Sequence, residues 1–171
     1  MLDVSGYCTP TYFLIGCPNI DKLFIPDGYT VLEPFGTYYV TSNNSTYYTH
    51  VNYLRLPNSI TIIDNIANDT NYNEVIKVLY IDKNVTSIFP NNNGLFHSNV
   101  GTVYIAAITP PKLGLFGYGG YFNKIYVPYS ANGTIIAAYK ADSRWSTMAD
   151  KIYEYDFELN PDGLEGIDGL N

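Results

Sequence analysis

Two histidines, two cysteines and sixteen carboxylates are the side chains of this 171-residue chain best suited to acid–base, nucleophilic or metal chemistry. His50 and His97 fall between the predicted strands, and neither has the spacing of a metal pair or of a catalytic triad. Cys8 and Cys17 stand nine residues apart. They could close a small loop as a disulfide or remain reduced, partly buried thiols. With no histidine nearby they do not make a zinc site. Gly117-Tyr118-Gly119-Gly120 lacks the lysine and the helix start of a phosphate loop. No spacing nominates a carboxylate pair as acid and base. These residues predict a non-enzymatic chain with no metal or cofactor.

What the sequence offers instead is aromatic contact. It holds 18 Tyr, 8 Phe and one Trp, while charged residues make up only 15 %. Tyrosine joins an apolar ring to a hydrogen-bonding tip, which suits protein or sugar partners. Nine Lys+Arg against 16 Asp+Glu give a net charge of −7, which argues against binding the phosphates of nucleic acid. A hydrophobic fraction of 46 % excludes a disordered chain. No stretch approaches the roughly 20 apolar residues of a membrane-spanning helix, so membrane insertion is not expected.

The elements that must position those rings repeat along the chain. An apolar–any–apolar triplet, often followed by proline, occurs as Leu23-Phe24-Ile25-Pro26 and Leu54-Arg55-Leu56-Pro57. It returns as Leu79-Tyr80-Ile81-Asp82, Val103-Tyr104-Ile105-Ala106 and Ile125-Tyr126-Val127-Pro128. The first residues lie 31, 25, 24 and 22 positions apart. The last three of those spacings fall inside the range of about 20 to 29 residues typical of leucine-rich repeats. Proline lacks an N–H, so it ends ladder pairing and starts a turn. A second pattern follows each strand, as Tyr29-Thr30-Val31-Leu32, Ile60-Thr61-Ile62-Ile63 and Val85-Thr86-Ser87-Ile88. Apolar anchors come next, among them Phe35, Ile66, Leu95-Phe96 and Leu115-Phe116. One such unit cannot bury its apolar groups alone, whereas stacked units share a core.

These units resemble the BspA-like leucine-rich repeats of bacterial surface proteins. Leu54-Arg55-Leu56-Pro57-Asn58-Ser59-Ile60-Thr61-Ile62-Ile63 is the nearest match, and the likeness spans about residues 20 to 155. The run Ile108-Thr109-Pro110-Pro111-Lys112-Leu113, then Ile125-Tyr126-Val127-Pro128, Ala138-Tyr139-Lys140 and Trp145, is similar to the end of such arrays. The family's Gly-x-x-Ala-Phe segment is mostly absent, and Asp82 and Ala106 replace two of the prolines. The resemblance implies a leucine-rich-repeat solenoid of short, stacked parallel strands with loop and turn returns and a small α-helical C-terminal cap. It supplies no binding site.

The chain then divides into an N-terminal capping segment (1–19), irregular repeats (20–128), a C-terminal cap (129–157) and an acidic tail (158–171). The cap reads as a helix from Thr134, starting near Asn132 or Gly133, then a turn that Ser143 could cap, then a strand over 152–157. Trp145 reads as cap packing rather than a ligand platform. The tail holds four acidic residues and no basic one, with Leu164, Ile167 and Leu170 recurring every three positions. It reads either as a flexible end or as a docking tail that orders on a neighbouring subunit.

Alternation along the strands turns Phe24, Arg55, Tyr80, Tyr104 and Tyr126 outward together, as one row across rungs about 4.8 Å apart. That row either binds a protein or glycan or stabilises itself by cross-strand stacking. The Tyr38–Thr49 loop is a second candidate by composition. Met1-Leu2-Asp3-Val4-Ser5 has neither the basic start nor the apolar run of a leader. Taken as the native start, it predicts a protein made in a host cytoplasm and carried in a particle. A removed leader would place it at a bacterial cell surface. The expected role is a bacteriophage virion structural or fibre-associated protein, part of a larger assembly with other virion proteins or a host-surface protein or glycan. A cell-surface adhesion module and a carbohydrate-binding accessory domain are the alternatives.

Overall fold

The computed structural model describes residues 19–32, 37–40, 45–48, 50–63, 74–93, 99–115 and 122–161. The strands are, in chain order, β1 (Asn19–Phe24), β2 (Val31–Leu32), β3 (Thr37–Val40), β4 (Ser45–Tyr48), β5 (His50–Arg55) and β6 (Ile62–Ile63). They continue as β7 (Glu74–Ile81), β8 (Ser87–Asn93), β9 (Asn99–Ile105), β10 (Lys112–Leu115), β11 (Phe122–Pro128) and β12 (Ile152–Tyr155). Helix α1 (Thr134–Ala141) and a 3-10 segment (Trp145–Lys151) lie between the last two.

Most strands pair in parallel, in two sheets. One runs β1-β5-β7-β9-β11-β12 and the other β10-β8-β6-β2. The chain alternates between them, so that each of β1, β5, β7 and β9 leads into one strand of the smaller sheet. After β11 the helix takes the place of that second strand. The segment read as a loop over 38–49 contains the antiparallel hairpin β3–β4 instead.

Register sets the core. Leu23, Leu54, Leu79, Val103, Ile125 and Ile152 pair in one row across the larger sheet. Leu32, Ile63, Ile88 and Leu113 pair across the smaller one. Both rows enter a single buried cluster, with Leu23 partly buried at its end. Each fully buried Leu or Ile contributes about 1.5–3 kcal/mol. A third inward row, Val51–Ile76–Val100–Phe122, breaks strict alternation, because β7 turns Lys77 to solvent between Ile76 and Val78.

The turns between the sheets are themselves laddered. The amides of Thr61, Thr86 and Lys112 each donate at 2.9 Å to the carbonyl of Thr30, Thr61 and Thr86 of the preceding unit. The hydroxyls of Thr61 and Thr86 donate to the same two carbonyls, at 3.3 and 3.1 Å. Threonine at this position therefore adds a second donor where the turn backbone offers carbonyls. Gly28 has φ 108°, a left-handed turn conformation that glycine adopts without Cβ strain. At Gly114 a Cβ would collide with the Phe89 carbonyl, and buried Phe89 itself takes φ 56°.

The cap closes one end of the core through two polar tips on buried rings. The Tyr139 hydroxyl donates to the Ala107 carbonyl and Trp145 Nε1 donates to the Pro111 carbonyl, each at 2.8 Å. Trp145 also stacks on Phe122 with centroids 6.3 Å apart and meets Tyr139 edge-on at 5.3 Å. Burial drives the Tyr139 hydroxyl pKa well above the usual tyrosine value. Helix α1 begins where expected, with Asn132 Oδ1 accepting the Thr134 amide at 3.3 Å. The second turn is capped by Asp142 rather than Ser143, its Oδ1 accepting the amides of Arg144 and Trp145 at 2.8 and 3.1 Å. The final strand pairs with β11, so this part of the cap is a sixth strand of the larger sheet.

Candidate functional site on the outer sheet face

The face of the larger sheet turned away from the core gathers the five outward residues. Strand register aligns Phe24, Arg55, Tyr80, Tyr104 and Tyr126, and extends the row to Tyr153 on β12. Its two ends are open, with Phe24 57 % and Tyr153 46 % exposed. Its middle is not, since Tyr80 and Tyr104 are only 4 % and 3 % exposed. These two rings belong to a second apolar cluster with Tyr53 and Val78, bordered by Tyr126, Tyr155 and Phe157.

The ring geometry explains the burial. Tyr104 stacks on Tyr126 at 4.8 Å and meets Tyr155 edge-on at the same distance. Phe157 stands edge-on to Tyr155 at 5.0 Å, to Tyr80 at 5.9 Å and to Tyr104 at 6.5 Å. Offset and edge-on arrangements are the favourable ones for aromatic rings. The centre of the row is therefore its own packed core, and ligand access remains at its ends. Cations border it. The Arg55 guanidinium lies 4.6 Å from the Tyr80 centroid, and Lys124 Nζ lies 4.8 and 5.4 Å from the Tyr126 and Tyr153 centroids. Such cation–π contacts contribute about 0.5–1 kcal/mol at exposed positions.

Beside the row runs an open groove of about 800 Å³ along the ends of the strands. Tyr80, Tyr155 and Phe157 line it on the sheet side, and Asn58, Asp82, Lys83 and Glu158 supply polar groups. Tyr129, 57 % exposed, presents a further ring into it. A smaller recess of about 340 Å³ lies by Phe24, Arg55, Asp27 and Asp82. This surface can hold apolar or planar groups flanked by hydrogen-bonding ones. Among the described residues, no group of three or more His, Cys, Asp or Glu could hold a metal ion, and no helix is long and apolar enough to cross a membrane.

Leu164, Ile167, Leu170, Cys8, Cys17 and His97 lie outside the described residues. Sequence reasoning missed Tyr153, Tyr155 and Phe157. Tyr153 and Tyr155 lie on β12, which ends at Tyr155 and not at 157 as the alternation suggests, and Phe157 follows in a turn. Glu154, which accepts the Ser130 amide at 3.3 Å, stands where the repeats carry an apolar residue and so hides the sixth unit. No family model, curated protein or solved structure matches the chain.

Proposed function

We propose that this chain is a short, irregular leucine-rich-repeat solenoid of the BspA-like kind, and that its outer sheet face is a protein-interaction surface. The proposed setting is a bacteriophage virion, where it acts as a structural or fibre-associated protein in assembly or host-surface attachment. Four successive passages from one parallel sheet to the other support the solenoid reading. The observation that carries the interaction reading is the continuous row from Phe24 to Tyr153, packed in its middle and exposed at both ends. A rigid platform with exposed aromatic ends is the form that interface anchors take.

A photo-cross-linking residue placed at 24 or 153 tests this in purified particles or producing cells, with the exposed helix position 140 as control. The expected result is a discrete adduct with a virion protein from 24 and 153 and none from 140. Adducts from all three sites alike, or from none, contradict the reading. A secretory leader in frame upstream of the gene would move the chain to a cell surface as an adhesion module, with the same face in use.

The groove favours a second reading. Exposed Tyr129 with Asn58, Asp82, Lys83 and Glu158 around it has the mixture of ring and polar groups that holds a sugar. Calorimetry with soluble host-surface glycans would then show saturable heat that Tyr129→Ala removes.

A further inference from the structure

The groove beside the aromatic row is longer than a pocket for one small molecule. It shares Asn58 and Asp82 with the smaller recess by Phe24, so the two form one channel. Its lining follows the strand ends of the larger sheet in their spatial order. Asp27 comes after β1, Asn58 after β5, Asp82 after β7, Ala106 after β9, Tyr129 after β11 and Asp156 after β12. Six neighbouring strands about 4.8 Å apart make a channel about 24 Å long, which suits a linear polymer lying across the rungs.

Its walls serve a peptide backbone poorly. Pro26, Pro57 and Pro128 have no N–H, and the amides of Ile25, Leu56, Ala106 and Tyr129 already donate to neighbouring strands at 2.9 to 3.1 Å. Recognition therefore falls to side chains. Tyr129 stands in the larger part of the channel and Phe24 at the far end, each 57 % exposed. Such rings offer flat apolar surface to the C–H faces of sugars, and the Asn58 side chain adds an amide that both donates and accepts.

Charge narrows the class of sugar. Four carboxylates, Asp27, Asp82, Asp156 and Glu158, line the channel against two cations, Arg55 and Lys83. The Arg55 guanidinium lies over the Tyr80 ring, 4.6 Å from its centroid. Two of the carboxylates are held in place by their own turns. Asp82 Oδ1 accepts the Lys83 amide at 2.7 Å, and Asp156 Oδ1 accepts the amides of Glu158 and Leu159, both at 3.0 Å. A carboxylate accepts hydrogen bonds and donates none, so its ligand must bring donors, and charged donors bind it most strongly. We propose that the channel binds a linear glycan whose sugars carry free, protonated amino groups. The amines meet the carboxylates, and the sugar faces lie on Tyr129 and Phe24. This inference rests on the sugar reading of the groove and names the class of sugar.

Calorimetry on the full-length chain tests it at about pH 6, where carboxylates are ionised and sugar amines protonated. The probes are a linear glucosamine hexamer, its fully N-acetylated counterpart and hexalysine. The glucosamine hexamer is expected to give saturable heat and to bind at least tenfold more tightly than either of the others. Asp82→Asn keeps an oxygen for the Lys83 amide and removes one charge, and should weaken that binding at least threefold. Tyr129→Ala should remove it. Equal binding of the two glycans overturns the amine requirement and leaves the sugar reading standing. Hexalysine binding as tightly as the glucosamine hexamer overturns the glycan in favour of a basic peptide. Binding of neither glycan overturns this inference and the sugar reading together. Glucosamine binding that both variants leave unchanged overturns the channel as its site.

Discussion

Tyr139 and Trp145 each spend their single polar atom on a carbonyl of the last repeat units, Ala107 and Pro111. Tyr139→Phe removes one donor and leaves a buried carbonyl behind, and should cost about 1–3 kcal/mol in denaturant unfolding. It should also change the alkaline limb. Burial raises the folded-state pKa of Tyr139 above its unfolded value of 10.0. The stabilising contribution is therefore complete below that pH. Above it the unfolded chain loses a proton that the folded chain keeps, and stability falls by about 1.4 kcal/mol per pH unit for this residue. Titrating stability from pH 9 to 11 should give a shallower fall in Tyr139→Phe than in the wild type, and parallel curves would contradict the assignment. On the outer face, Tyr104→Ala should cost about 3–5 kcal/mol because its ring is buried, whereas exposed Phe24→Ala should stay within about 0.5 kcal/mol. Thermal melts of the two variants distinguish a packed centre from an open end. The row itself was legible in the sequence, because alternation in five similar triplets places five residues on one face. The burial of Tyr80 and Tyr104 was not, because it depends on rings from other strands and from the turn after β12, namely Tyr126, Tyr155 and Phe157, which local patterning cannot bring together.

Short strands such as β2 and β6 hold their place through the turns that precede them. The threonine ladder adds hydroxyl donors at Thr61 and Thr86 to carbonyls that already accept amides. Their equivalence was legible from the recurring Thr within each second pattern. The helix start was legible too, from Asn132 and Gly133, whereas the cap of the following turn was not: Asp142 and Ser143 are adjacent and either side chain suits that role. Asp142→Ala should cost about 1 kcal/mol and Ser143→Ala close to nothing, as read from melting temperatures. Gly114→Ala forces a methyl into the Phe89 carbonyl and should cost about 1–3 kcal/mol, with the largest chemical-shift changes at β8 and β10. That requirement could not be read from sequence, where Gly114 is one glycine among 14.

Across the whole molecule the inward residues of consecutive passes meet only when the strands run side by side in parallel. Leu54, Leu79, Val103, Ile125 and Ile152 are then nearest neighbours despite lying far apart in the chain. Parallel order was legible because near-equal spacing of like triplets leaves a full return between each pair. The last strand was legible too, but as part of the cap and not as a sixth rung of the sheet, because Glu154 interrupts the apolar pattern. The proposed interaction face depends on this arrangement, since the outward residues form a row only in this register. The most direct measurement is a NOESY spectrum of the isotopically labelled full-length chain. It should show inter-strand contacts linking Arg55 to Tyr80, Tyr80 to Tyr104, Tyr104 to Tyr126 and Tyr126 to Tyr153, with the slanted amide pattern of parallel pairs. Close Hα–Hα contacts of antiparallel pairs between these segments, or no contacts between them, would contradict the account.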